Sequence, residues 1–140
     1  MGQPNIIEGA KHTDSRGTLS FINEFDMLQI RRFYTIEHPN IEIERGWRGH
    51  KIEQRWFSVS KGSFVVKLVR IDNWEFPSPI LQQQEFILSE KQHSVLHIPK
   101  GYASCLKANE ANSKLIVFAD STVENAELDD YLFPIDYFKG

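Results

Sequence analysis

The sequence contains a single cysteine, Cys105, among its 140 residues, so an internal disulfide bond is excluded. It has no apolar run near the roughly 20 residues that a membrane-spanning helix needs, and its opening stretch, MGQPNIIEG, lacks the basic flank and apolar core of a secretory signal. Lys and Arg number 16 against 19 Asp and Glu, which leaves no basic excess for nucleic acid. We therefore expect a cytoplasmic protein that neither crosses a membrane nor binds nucleic acid.

Short runs of β-branched and aromatic residues, broken by turn residues, recur through most of the chain. Turn clusters such as DSRG, SKGS and PKG separate them. The length and the 41% hydrophobic content suit one domain covering residues 1–140, and the spacing predicts an all-β sandwich or barrel. The predicted strands cover residues 18–23, 29–37, 54–60, 63–72, 84–88, 94–98, 103–107 and 114–119.

One segment near the C-terminus, residues 123–133, has a helical pattern instead. Leu128 and Leu132 lie four positions apart, and acidic residues occupy much of the rest of the segment. Pro134 is expected to end this helix.

The segment RGWRGHKIEQRW, which begins at Arg45, brings together three arginines, one histidine and two tryptophans. Guanidinium groups bind phosphate through two parallel hydrogen bonds, and an indole offers a flat face to a base or a sugar ring. The segment therefore predicts a site for an anionic, ring-bearing ligand. The alternative is a basic loop over the rim of the barrel, with its tryptophans in the core. The residues predicted to bind the ligand are Arg45, Trp47, Arg48 and Arg55.

Several motifs resemble those of a known family. Arg45-Gly46, Gly62 and the later PKG turn form the skeleton of the two cupin motifs. Nearly the whole chain is similar to the dTDP-4-keto-6-deoxyglucose 3,4-ketoisomerases of the WxcM-like family and, more distantly, to the dTDP-4-dehydrorhamnose 3,5-epimerases. The closest motifs are DSRGTL from Asp14, IRRFYTI from Ile30, the Arg45-Gly46 pair, DDY from Asp129 and DYF from Asp136.

This resemblance implies a single antiparallel β-barrel of the cupin or jelly-roll type with a short C-terminal helix outside it. It also implies a nucleoside-diphosphate sugar, dTDP-linked, as the ligand, and a homodimer that exchanges N-terminal strands. The edge segment Asn5-Ile6-Ile7, together with Phe21 and Phe25, would gain from such a partner.

The ketoisomerases read Arg-Gly-x-His-x-His, and the second of these histidines is His50 in this chain. The first is replaced by Arg48, whose guanidinium cannot relay protons near neutral pH but can stabilise an enolate oxygen or hold a diphosphate. In the second cupin motif Ser104 occupies the usual histidine position, and we place it among the substrate-binding residues. Because only His50 remains of the usual ligand set, we expect neither a metal nor another cofactor.

Two residues are predicted to be catalytic. His50 is the candidate general base, because an imidazole titrates near 6.5 and can remove a proton next to a ketone. Tyr34 matches a pocket tyrosine of the family and can donate a proton or bind the sugar. Arg32 lies two residues earlier on the same strand face, where an anion would be its natural partner. The alternatives are that His50 is a structural histidine, that Tyr34 is an ordinary core residue and that Arg32 lies on the surface.

Three functions follow from these residues. The first is 3,4-ketoisomerisation of a dTDP-4-keto-6-deoxyhexose by proton transfer through an enediol. The second is a non-catalytic module that binds a sugar nucleotide and has lost the proton relay with the histidine pair. The third is an activity like that of the 3,5-epimerases, which is disfavoured because that chemistry also uses a histidine at the position of Arg48.

Overall fold

The computed structural model describes residues 2–140 and is built almost entirely of β-strands. Its single described helix, α1, covers Val123–Glu127. The strands are β1 (Asn5–Glu8), β2 (Ala10–Asp14), β3 (Gly17–Phe21), β4 (Arg32–His38), β5 (Glu44–His50), β6 (Arg55–Lys61), β7 (Ser63–Arg70), β8 (Gln83–Ser89), β9 (Ser94–Ile98), β10 (Tyr102–Ala108), β11 (Ser113–Ala119) and β12 (Tyr131–Leu132).

Two five-stranded antiparallel sheets form the body of the fold. The first sheet has the order β1-β9-β6-β11-β4 and the second has the order β12-β5-β10-β7-β8. Strands β2 and β3 pair only with each other and form a separate hairpin. This arrangement confirms the predicted all-β, jelly-roll class, although no strand ladder among residues 2–140 joins the two sheets into a closed barrel.

The core lies between the two sheets, and alternation along β7 shows how the sequence specifies it. Phe64, Val66 and Leu68 face inward and are completely buried, whereas Val65 and Lys67 face outward and are only partly buried. Inward residues of both sheets complete this core, which consists of Phe57, Val59, Phe64, Val66, Leu68, Leu88, Leu96, Ile98, Tyr102, Leu106, Ala108, Leu115 and Val117.

The outer face of the second sheet carries a smaller apolar cluster. Val69, Cys105 and Trp47 pack there against Phe138 of the C-terminal tail. Burial raises the pKa of the Cys105 thiol to about 11, so this cysteine is a protonated, buried group.

All eight predicted strands are present, with ends within three residues of those predicted. The sequence reading missed four strands: β1, β2, β5 and β12. Strand β5 was not predicted because its segment RGWRGH is polar and rich in glycine. Polar residues and glycine are both uncommon in strands. Pairing with β10 on one side and β12 on the other holds it in the sheet.

The predicted helix over residues 123–133 is wrong in its extent. Helix α1 stops after Glu127, and β12 then pairs Tyr131 with Gly49 of β5. Asp129, between the two elements, accepts hydrogen bonds at its side chain from the segment that follows β5 and at its carbonyl from His50 at the end of β5, and these contacts replace further helical turns. Helix α1 is far too short to cross a bilayer, and residues 2–140 contain no other helix that could.

Candidate active site

A β-bulge in β5 decides which of its side chains face the space between the sheets. Ser104 of β10 pairs with Arg48 and Cys105 pairs with Gly46, so Trp47 is the extra residue. The bulge places Arg45 and Arg48 on the inner side and sends Trp47 outward. Gly46 has a φ of +146°, and a Cβ at this position would lie 2.6 Å from the carbonyl oxygen of Ser104. Glycine is therefore required at the bulge.

The predicted role of Trp47 as a ligand platform beside the arginines is wrong. Its indole is 2% exposed and packs edge-to-face on Phe138, with ring centroids 5.1 Å apart. The indole N–H donates a hydrogen bond to the carbonyl of Ile135 at 3.1 Å. Trp47 thus anchors the C-terminal tail on the outer face of the second sheet.

Two adjoining cavities, of about 310 and 270 Å³, form one cleft between the sheets and under α1. Tyr34, Arg48 and Arg55 line both cavities, so the cleft is continuous. The structure therefore brings together every predicted site residue except Trp47. The residues that meet in the cleft are Arg32, Tyr34, Arg45, Arg48, His50, Arg55 and Ser104.

A buried carboxylate, Glu53, organises the arginines of the first sheet. Its side chain has no solvent exposure; Arg32 Nη1 donates to one carboxylate oxygen at 2.8 Å and Arg55 Nε donates to the other at 2.6 Å. Burial alone would raise the pKa of Glu53, but the charge of Arg55 and the two hydrogen bonds hold that pKa below its usual value. Both guanidinium groups lie against the ring of Tyr34, at 5.7 and 5.9 Å from its centroid. Because one carboxylate balances only one of two arginines, this group retains a positive charge.

His50 lies beside this group and is 5% exposed. Its Nδ1 is 2.8 Å from the backbone carbonyl oxygen of Asp129. A carbonyl can only accept a hydrogen bond, so Nδ1 carries the proton and Nε2 carries the lone pair. That Nε2 is buried and has no hydrogen-bond partner among residues 2–140. Burial and the nearby charge of Arg55 lower the pKa of His50, so its imidazole is neutral near pH 7 and can accept a proton at Nε2.

The carboxylate of Asp129 holds the turn that joins His50 to Glu53. It accepts backbone hydrogen bonds from Lys51 at 2.8 Å, Ile52 at 2.9 Å and Glu53 at 2.8 Å. Sequence reasoning missed both Glu53 and Asp129 as site residues. The DDY motif was a signal for Asp129, but the sequence alone does not show that its partners lie nearly 80 positions earlier.

Arg48 and Arg45 provide further positive charge along the cleft. Arg48 Nε lies 3.1 Å from a carboxylate oxygen of Asp130, and the Arg48 side chain is 46% exposed. Arg45 makes no ion pair with any residue in the range 2–140. In the described part of the chain, four guanidinium groups line the cleft together with only two carboxylates, those of Glu127 and Asp130, so the lining itself is positively charged. Within residues 2–140, no three His, Cys, Asp or Glu side chains are grouped so as to hold a metal ion.

We predict that Asp129→Asn lowers the free energy of unfolding by about 1–3 kcal/mol, because an amide nitrogen would replace an oxygen that accepts buried backbone N–H groups. The matched control is Asp130→Asn, since Asp130 makes one partly exposed ion pair and its loss should cost below about 1 kcal/mol. Urea unfolding of the two variants measures both values. Equal losses would contradict the role assigned to Asp129.

Comparison with known proteins identifies the family of the chain. The family model described as "FdtA: WxcM-like, C-terminal" matches residues 3–139. No curated protein matches the chain in sequence.

Solved structures share the fold at low sequence identity. The rmlC epimerase of Mycobacterium tuberculosis is 14% identical with a TM-score of 0.76, and the alignment covers 93% of this chain and 68% of that one. The 3,4-ketoisomerase QdtA of Thermoanaerobacterium thermosaccharolyticum, a mutant in complex with TDP-4-keto-6-deoxyglucose, is 20% identical with a TM-score of 0.71 and coverages of 91% and 85%. A 3,4-ketoisomerase from Helicobacter canadensis is 21% identical with a TM-score of 0.69 and coverages of 89% and 87%. These findings confirm the resemblance inferred from the motifs: the chain belongs to the WxcM-like, C-terminal family.

Proposed function

We propose that the protein is a sugar-nucleotide isomerase that converts a dTDP-4-keto-6-deoxyhexose into its 3-keto isomer. The observation that carries this proposal is the unprotonated, unpartnered Nε2 of His50 in a cleft rich in arginine. The family match and a neighbour crystallised with TDP-4-keto-6-deoxyglucose support the choice of substrate class.

The proposed reaction moves one carbon-bound proton. His50 Nε2 takes the proton from C3, and the electrons of that C–H bond form a C3–C4 double bond while the C4 oxygen becomes an enolate. The imidazolium then returns the proton to C4, the C3 hydroxyl loses its proton and C3 becomes the ketone. Tyr34, which lines both parts of the cleft, is suited to carry the hydroxyl proton between the two oxygens.

The arginines have separate tasks in this scheme. Arg55 is held by Glu53 and lines both parts of the cleft, so its charge can stabilise the enolate oxygen. Arg45 lines only the larger part of the cleft and Arg48 lines both parts; these two arginines are suited to bind the diphosphate, with Ser104 as a neutral polar contact. Arg32 acts through Glu53 and keeps Arg55 in place.

A non-catalytic sugar-nucleotide module is the second candidate function. Among residues 2–140, His50 is the only histidine that lines the cleft. Arg48, at the place of the family's first histidine, pairs with Asp130 and cannot accept a proton near neutral pH. Such a cleft would bind the nucleotide sugar without moving its protons.

We predict that TDP-4-keto-6-deoxyglucose, incubated with the protein in deuterated water, exchanges the hydrogen next to its ketone, as followed by proton NMR. His50→Asn should abolish this exchange and leave the affinity for thymidine diphosphate within a few-fold, because the base acts on the sugar and not on the diphosphate. His93→Asn, outside the cleft, is the matched control and should exchange as the wild type does.

The rate of this exchange should also depend on pH. Because the pKa of His50 is lowered, the rate should be at its maximum at pH 7 and should decline only below pH ~6.5, as the base becomes protonated.

Arg48→His separates the two candidate functions. In an isomerase the new histidine restores a second proton carrier, so exchange should persist or become faster. In a binding module the change removes a charged contact, so calorimetry should show thymidine diphosphate binding weakened by about 1.5–3 kcal/mol with no exchange. Exchange that persists in His50→Asn would remove His50 from the mechanism.

We also propose that the protein is a homodimer in which the β2–β3 hairpin packs on the second copy. The hairpin pairs with no other strand in residues 2–140, and its Leu19 is exposed. Strand β1 pairs with β9 of its own chain, but its other edge is open. Light scattering should give twice the chain mass of 16.3 kDa. A single species at the monomer mass would overturn this proposal.

A further inference from the structure

A second cavity, of about 540 Å³, is lined in part by Tyr102 and shares no lining residue with the cleft. Tyr102 pairs with His50 on β5 and with Arg70 on β7, so these three side chains form one row on the same face of the sheet. Gln84 on β8 pairs with Leu68, a core residue, and therefore faces the same side. The volume is within the range of about 300–1,000 Å³ that is usual for small-molecule sites.

The hydroxyl of Tyr102 is the feature that points to a ligand. Tyr102 is 3% exposed, and its phenol oxygen is buried with no hydrogen-bond partner among residues 2–140. A buried hydroxyl without a partner is costly, and buried polar atoms are nearly always hydrogen-bonded in native proteins. Tyr102 lines the cavity, so a ligand there that reaches its hydroxyl would supply the missing partner.

The other lining residues indicate a neutral ligand with many hydroxyl groups. The charges of Arg70 and Asp72 cancel, in contrast to the arginine-rich cleft. Glutamine amides both donate and accept hydrogen bonds, and Ile71 and Leu81 offer an apolar surface to the C–H face of a ring. The polar residues that line the cavity are Gln3, Arg70, Asp72, Gln82, Gln84 and Tyr102.

One wall of this cavity is held in place before any ligand arrives. Asp72 Oδ1 accepts backbone hydrogen bonds from Asn73 at 2.8 Å and from Ser78 at 3.1 Å, which fixes the loop between β7 and β8. A preformed wall lowers the entropy cost of binding.

We propose that this cavity is a second binding site, for a neutral sugar, and that the hydroxyl of Tyr102 hydrogen-bonds to the sugar. The site is separate from the proposed isomerase cleft and does not depend on the reaction assigned to it. Its ligand carries no phosphate, because no net positive charge is available to balance one.

The test is saturation-transfer NMR with D-glucose, D-galactose and L-rhamnose, each at millimolar concentration, on the intact protein. We expect at least one sugar to bind, and Tyr102→Phe to weaken its affinity by about five- to tenfold through loss of one hydrogen bond. The matched control, Tyr34→Phe, removes the same atom in the cleft and should leave this affinity unchanged.

Tyr102→Phe should fold as the wild type does, because the deleted oxygen has no partner in the unliganded protein. A thermal melt of the variant checks this point. If none of the three sugars binds, or if binding is the same in Tyr102→Phe as in the wild type, the proposal is overturned. Loss of sugar binding in Tyr34→Phe alone would place the sugar in the cleft and would also overturn it.

Discussion

The buried carboxylate of Glu53 is the constraint on which the candidate site depends. It has no solvent exposure, and such a charge persists only when it is paired and hydrogen-bonded. Arg32 and Arg55 supply the pairing, so both arginines are drawn to the wall of the cleft instead of extending into solvent. A buried ion pair adds little net stability, but removing one partner leaves an uncompensated charge. The main consequence is therefore orientation: Arg55 is fixed where it faces both parts of the cleft.

The chain after α1 carries the second constraint. The carboxylate of Asp129 accepts hydrogen bonds from the backbone of the turn after His50, and its carbonyl accepts one from the imidazole. One residue therefore fixes both the loop and the tautomer of the base. Helix α1 cannot continue through this position without breaking these contacts. The short strand β12 then closes the edge of β5, and Asp130 meets Arg48 beside it. A stretch with helical periodicity is thus used instead to assemble the site.

Much of the fold could be predicted because period-two alternation and turn residues are local signals. The strand Ser63–Arg70 carries the alternation clearly. The cleft arginines Arg45, Arg48 and Arg55 were also predictable, because they cluster within one short segment, whereas Tyr34 and Ser104 were predicted from the family resemblance. The bulge at Trp47 was not, since it depends on how β5 aligns with Ser104 and Cys105 of a distant strand. The roles of Glu53 and Asp129 were equally hidden, because their partners are fixed by tertiary packing and not by local sequence.

The central claim is that the backbone carbonyl of Asp129 holds His50 as a neutral imidazole with its lone pair on Nε2. Nitrogen-15 NMR of the labelled protein at pH 7 tests this claim most directly, because the chemical shifts of the two ring nitrogens distinguish the tautomers from each other and from the imidazolium. The account predicts that Nδ1 of His50 is protonated, that Nε2 is not, and that the ring gains its second proton only below pH ~6.5. A proton on Nε2 at pH 7, in the other tautomer or in the imidazolium, would contradict it.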